Sequence, residues 1–173
     1  IKDFFDKPKT KIINPKNAYE EIVNNEWYIL DGFVGTSEEK DLIEFINHSF
    51  KKLEKKYEKI FLLKNEEVFK IYDFEKARGF QPDFILFLNK KNDNNIFYQI
   101  FIEPKGNQFL DKNNTFEYSK ESWKENFLEE ITERYGLKNI MKNENSKYKL
   151  IGLPFFNNEY NKKFEENFKK IIL

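Results

Sequence analysis

Two carboxylates and an ammonium group stand at the ends of two neighbouring apolar runs. In GFQPDFILFL, residues 79–88, Asp83 precedes Phe84–Leu88; in YQIFIEPKG, residues 98–106, Glu103 and Lys105 follow Ile102. Side chains alternate along a strand, so Glu103 and Lys105 share one face while Ile102 and Pro104 take the other. Antiparallel pairing through residues 89–95 sets the residue before Phe84 beside the residue after Ile102, which makes Asp83 and Glu103 neighbours. Two carboxylates that close do not both ionise cheaply. A divalent cation removes the penalty and prefers hard oxygen ligands of this kind. Pro104 cannot donate to a ladder, so pairing ends or bulges there and its carbonyl is placed to become a further ligand. Lys105 is then positioned to hold or deprotonate a water and to help neutralise a phosphate. Carboxylates for Mg²⁺, a positive group and an open coordination position are the inventory for metal-activated attack of water on a phosphodiester.

A structural salt bridge competes with that reading. Glu-x-Lys occurs at Glu38–Lys40, Glu54–Lys56 and Glu103–Lys105, so the tripeptide alone carries little information. Only the third closes an apolar strand, and Pro-Asp occurs once, at Pro82–Asp83, opening the strand before it. The conjunction is the signal.

The elements that must hold these groups can be read from spacing. A short strand-like stretch, EWYIL at 26–30, leads to turn residues Asp31, Gly32 and Gly35. The clearest helix follows, capped by Thr36 or Ser37, with Glu39 three residues after Thr36 as in a capping box. Leu42, Ile46, Phe50, Leu53 and Tyr57 recur at helical spacing, with Ile43 beside them. Ile60–Leu63 and Val68–Phe74 read as the first strand material. Phe84–Leu88 and Ile96–Glu103 flank the polar loop NKKNDNN. A long loop reaches Ser122, a helix runs from Trp123 to Tyr135 and stops at Gly136, Tyr148–Leu153 reads as a strand, and Phe164, Phe168 and Ile172 mark a final amphipathic helix. The order is helix, three strands, helix, strand, helix, with no internal repeat. Residues 1–17, polar with Pro8 and Pro15, read as a loose arm or linker, and 18–173 as one domain.

Composition narrows the chemistry. The chain has 173 residues, enough for one domain with a real core, and no cysteine, which excludes disulfides, thiolate metal sites and thiol nucleophiles. The single histidine, His48, rules out a two-histidine zinc site and falls on the solvent or flanking side of its helix. No apolar run approaches the ~20 residues that span a bilayer and no signal-peptide pattern opens the chain, so a soluble cytoplasmic protein without membrane partners is expected. Opening on Ile1 with a charged, proline-containing segment, the chain reads as a piece of something longer. Thirty basic residues balance thirty acidic ones; two are arginine, Arg78 and Arg134, and the rest lysine. With only three valines against abundant Ile, Asn and Phe, this is the bias of an AT-rich genome. The lysine clusters at 51–52, 55–56, 90–91, 162–163 and 169–170 therefore read as solvated faces. Zero net charge argues against a free-standing high-affinity DNA binder, because phosphate neutralisation supplies most non-specific binding.

At Pro82–Asp83 and Glu103-Pro104-Lys105 the chain resembles the PD-(D/E)XK nuclease superfamily. The wording of GTSEEKDLIEFI, FKIYDF, GFQPDFILFL, YQIFIEPKG and WKENFLEEI, across roughly residues 32–131, is similar to the C-terminal endonuclease domain of type III restriction enzymes, in the subunit that also carries a helicase. The resemblance implies an α/β fold with a restriction-endonuclease-like core, a mixed central sheet flanked by helices in the order α-β-β-β-α-β-α. It implies a Mg²⁺-dependent DNA endonuclease, with Mn²⁺ able to substitute: Asp83 and Glu103 as metal ligands with the Pro104 carbonyl, and Lys105 as the catalytic lysine. Nucleases of this kind often add a glutamate from the first helix. Glu38 and Glu39 are both candidates, and Glu39 is preferred because it sits three and seven residues before Leu42 and Ile46, on the buried face; the capping box is its competing role. Gln81, Gln108 and Lys124 are placed near the substrate, with ordinary loop or core duty as the alternative.

The implied partners are DNA, a helicase/ATPase region in the same full-length protein, and a methyltransferase/specificity subunit. No GxxxxGK[ST] phosphate loop is present, so ATP would act only through a motor outside these residues. A tethered nuclease borrows the DNA concentration its partner provides, which fits the neutral charge. Two other functions compete: a non-catalytic DNA-binding or docking module on a nuclease-like core, and a repair-type nuclease domain.

Overall fold

A computed structural model describes residues 27–28, 35–65, 69–73, 76–92, 96–137, 141–143 and 146–173. The arm read over 1–17 lies outside them, as does most of EWYIL, of which Tyr28 makes a parallel bridge to Leu62.

Helix α1 spans Ser37–Lys56. The capping box forms: Thr36 Oγ1 accepts from the Glu39 amide at 3.3 Å, and Glu39 Oε2 accepts from the Thr36 amide at 2.7 Å. Acidic residues in its first turn and Lys55 and Lys56 in its last complement the helix dipole. Leu42, Ile43, Ile46 and Leu53 are buried. Tyr57, read from spacing as helical, is instead the first residue of strand β1 (Tyr57–Lys64). A buried aromatic there satisfies both the helical stripe and the strand's alternation, and its hydroxyl donates to the Ile172 carbonyl at 2.8 Å, which favours the strand.

Strands β2 (Ile71–Asp73) and β3 (Arg78–Phe80) pair antiparallel as a separate small sheet. The described part of residues 68–74 therefore supplies no strand to the main sheet. The chain turns back after Asp73, whose Oδ1 accepts from the Lys76 amide at 3.1 Å, and Ala77 adopts φ 49°.

Strands β4 (Phe84–Lys90) and β5 (Ile96–Ile102) follow. Helix α2 covers Ser122–Ile131 and widens into a π-type turn over 132–137 rather than continuing regularly to Tyr135. The Thr132 hydroxyl accounts for the change: it donates to the Gly152 carbonyl at 2.7 Å, lies 3.2 Å from the Leu128 carbonyl, and accepts from the Gly152 amide at 2.8 Å. A short edge strand, β6 (Met141–Asn143), precedes β7 (Ser146–Gly152), and α3 spans Lys162–Ile171.

The mixed sheet runs β1-β4-β5-β7-β6. The β1–β4, β4–β5 and β6–β7 pairs are antiparallel, and β5–β7, joined across α2, is parallel. The protein is mixed α/β with helices on both faces of this sheet. On one face Phe84, Leu86, Leu88, Ile100 and Ile102 pack with α1 and α3 in the larger core. On the other, Ile85 and Phe101 pack with Phe127, Leu128 and Ile131 of α2 and Phe80 of β3. At about 1.5–3 kcal/mol for each fully buried large apolar side chain, these cores fix the strand ends firmly in space. Among the described residues no helix is long and apolar enough to cross a membrane.

Candidate functional site

Phe84 pairs with Ile102, so the next residues outward, Asp83 and Glu103, stand opposite one another. Asn65, just past β1, fixes the first tip. Its amide donates to the Asp83 carbonyl at 2.7 Å, and its Nδ2 donates to the carbonyls of Pro82 and Phe69 at 2.8 and 2.7 Å. On the second tip the Glu103 carbonyl accepts from the Phe156 amide at 3.0 Å, and the Lys105 amide donates to the Phe156 carbonyl at 2.8 Å. Backbone groups alternate along an extended chain, so the Pro104 carbonyl points to the opposite edge, towards β4. The buried Asn157 side chain donates to the Lys105 carbonyl at 2.8 Å and secures the segment.

The two acids differ in their surroundings. Glu103 Oε2 accepts from the Asp83 amide at 3.0 Å; Oε1 lies 2.8 Å from Lys105 Nζ and 3.6 Å from Lys124 Nζ. The Asp83 carboxylate has no hydrogen-bond donor or ion-pair partner among the described residues. Burial, then the Glu103 charge, then that of Glu39, push its carboxyl up to about 7. Burial alone would lower the Lys105 ammonium, but Glu103 and Glu121 outweigh it and hold its pKa above the ordinary lysine value. Lys105 therefore stays charged. Of the two roles its sequence position allows, a charged ammonium suits donating and neutralising rather than taking a proton. The rings of Phe109 and Phe155, with centroids 5.2 and 5.6 Å from its Nζ, form apolar walls around the charge.

A hollow of about 210 Å³ opens at these tips, lined by Asp83, Pro104, Lys105, Gly106 and Gln108 together with the start of α1, where Thr36, Glu38 and Glu39 contribute. A methyl group on Gly106 would run into the ends of the Glu38 and Gln108 side chains. A larger hollow of about 380 Å³ lies at the other end of α1, between Phe50, Tyr57 and Lys91, away from the acids.

A family model described as HI_1054_C, a C-terminal domain, matches residues 1–173. The chain belongs to the HI_1054_C family. An uncharacterized protein of Haemophilus influenzae is 41% identical over 177 residues, covering 97% of this chain and 36% of that protein. The chain thus spans about a third of the length of this relative. No solved structure matches it.

The other candidates are spread around the hollow. Glu39 lines the hollow while also closing the capping box, and its Oε2 lies 3.0 Å from Lys64 Nζ. Glu38 lines it too, with a hydrogen bond from the backbone holding its carboxyl below the usual range. Gln108 is on the rim; Gln81, half-buried between β3 and β4, is not part of the lining. Lys124 reaches Glu103 from the first turn of α2. His48 is exposed. Sequence reasoning does not find Glu121, which pairs with both Lys105 and Lys124, nor the clamps Asn65 and Asn157. Glu121 carries no spacing signal, because a loop brings it in. Asn65, directly after an apolar strand, is the clamp that a closer look at strand-end residues could flag.

Among the described residues, no three acid or histidine side chains gather closely enough to hold a metal by themselves. A divalent cation at these strand ends would rest on Asp83, Glu103 and the Pro104 carbonyl. Such a set suits Mg²⁺, which keeps several waters and commonly binds through one or two carboxylates plus substrate phosphate. The unpartnered Asp83 carboxylate, costly to ionise alone, is the feature that fits a cation best.

Proposed function

We propose that this HI_1054_C domain is a Mg²⁺-dependent DNA endonuclease with a restriction-endonuclease-like core, serving within a type III restriction assembly. The observation that carries the reading is the opposition of Asp83 and Glu103 at paired strand ends, with Lys105 2.8 Å from Glu103. The sheet adds support: three antiparallel strands, β1, β4 and β5, then a crossover through α2 to the parallel β7. DNA would be delivered by a helicase/ATPase region and a methyltransferase/specificity subunit, with ATP acting only in that motor.

Hydrolysis forms one P–O bond to water and breaks one P–O bond to a sugar oxygen, with a proton passing from water to the leaving alkoxide. When bound, a divalent cation supplies Lewis-acid activation and charge neutralisation at the phosphate. Asp83 and Glu103 provide the oxygens for it. Lys105, held charged by its two carboxylates, donates to the phosphate where negative charge develops, and removing one such preorganised donor costs about 10²–10³ in rate.

The test is metal binding and cleavage with the full chain. Calorimetry is expected to show Mn²⁺ or Mg²⁺ binding that disappears in Asp83→Ala, and cleavage of duplex DNA is expected to stop with chelator and in Lys105→Ala. Metal binding that persists unchanged in Asp83→Ala refutes the site. A second reading is favoured by one feature: both Glu103 oxygens already have internal donors. On that reading the core is a DNA-binding or docking module without turnover, and restriction by the full-length protein survives Glu103→Ala.

A further inference from the structure

Four charged groups close a ring beside the acid tips. Glu103 lies 2.8 Å from Lys105, Lys105 meets Glu121, Glu121 lies 3.0 Å from Lys124, and Lys124 returns to Glu103 at 3.6 Å. Acids and ammonium groups alternate, and the ring is neutral. Its two carboxylates are not equivalent. The Glu103 side chain is 3% exposed and is also held by the Asp83 amide, whereas that of Glu121 is 27% exposed. Glu121 occupies the N-cap position of α2, yet its side chain makes no capping bond, so releasing it does not uncap the helix.

We infer that Glu121 is an internal stand-in for a substrate phosphate, occupying a two-lysine clamp formed by Lys105 and Lys124 until a nucleic-acid strand displaces it. The chemistry of the exchange is balanced. A phosphodiester carries one negative charge and two non-bridging oxygens, as a carboxylate does, so it can accept from both ammonium groups while the ring stays neutral. The displaced Glu121 carboxylate moves into water. Glu103 cannot make the same exit, because leaving would strand the part-buried Asp83 amide and leave a buried lysine with one carboxylate fewer. The inference rests on the nuclease reading for its substrate class and adds to it a clamp and a competitor for that clamp.

The experiment is fluorescence anisotropy of a labelled DNA duplex against the full chain, with chelator present so that nothing is cut. Glu121→Gln, which keeps the shape and removes the charge, is expected to bind about tenfold more tightly than the wild type. Glu117→Gln, at an exposed acid in the loop leading to the same helix, controls for charge alone and is expected to change affinity less than about twofold. In a Lys124→Met background the gain from Glu121→Gln is expected to vanish, and melting temperatures of all variants establish that they are folded. Weaker or unchanged binding by folded Glu121→Gln, while the wild type binds, overturns the clamp and leaves the nuclease reading standing. A tightening in chelator, with no cleavage by the same chain when Mg²⁺ is supplied in a separate assay, upholds the clamp and removes turnover. Absence of DNA binding by every folded variant overturns the clamp and leaves the nuclease reading to its metal-binding test.

Discussion

Replacing Asp83 with asparagine should stabilise the protein at alkaline pH. The Asp83 carboxyl is raised from 3.8 to about 7, first by burial and then by Glu103 and Glu39. Between those two values the folded state binds more protons than the unfolded state. Stability therefore falls as pH rises from about 4 to about 7 and levels off above. At about 1.4 kcal/mol per pKa unit the full shift caps the penalty at about 4 kcal/mol, and water in the hollow screens part of it, so about 2 kcal/mol is the working figure. Asparagine removes the group that must ionise. The gap between Asp83→Asn and wild type is expected to open from near zero at about pH 4.5 to about 2 kcal/mol at about pH 8, or roughly 4–8 °C in Tm for a domain of this size. Urea denaturation across a pH series measures it. Adding Mg²⁺ at the alkaline end should narrow the gap by stabilising only the wild type. A variant less stable than wild type there, or a gap that does not move with pH, refutes the argument, because Asp83 would then gain from its charge without a cation.

Two further changes probe the scaffold. Gly152→Ala would drive a Cβ into the Leu128 carbonyl and is expected to cost about 1–3 kcal/mol by pushing α2 off the sheet, read from the urea midpoint. Asn157→Ala removes the donor to the Lys105 carbonyl and the acceptor for the Glu159 and Tyr160 amides; a loss of about 1–3 kcal/mol is expected by thermal denaturation, together with weaker metal binding.

The placement of Asp83 opposite Glu103 is legible in the sequence because two apolar runs of matching length flank a short polar loop. Once those runs pair, alternation decides which side chains share a face, and Pro104 marks where the ladder must end. The start of α1 is equally plain, since Thr36 and Glu39 satisfy each other locally. Features that depend on distant partners are not. Tyr57 suits helix and strand alike until Ile172 takes its hydroxyl. The β2 and β3 strands are three residues each, too short for any periodicity to register. The widened turn after Ile131 answers to Gly152 through the Thr132 hydroxyl, twenty positions away along the chain. Glu121 illustrates the limit best. It lies eighteen residues beyond Glu103 with nothing in the spacing to link them, and joins the site because α2 packs where it does.

Among the described residues the two sides of the sheet are unequally filled: α1 and α3 share an extensive apolar layer, whereas α2 rests on a thinner one. A domain built this way loosens unevenly, since the free energy of local opening tracks buried apolar contact. The acid tips are anchored by strands that belong to both layers, but Lys124 rides on the lightly held side. Excursions of α2 would widen the gap between Lys124 and the carboxylates while leaving the latter in register, and the nucleic acid proposed above would then enter without deforming the sheet.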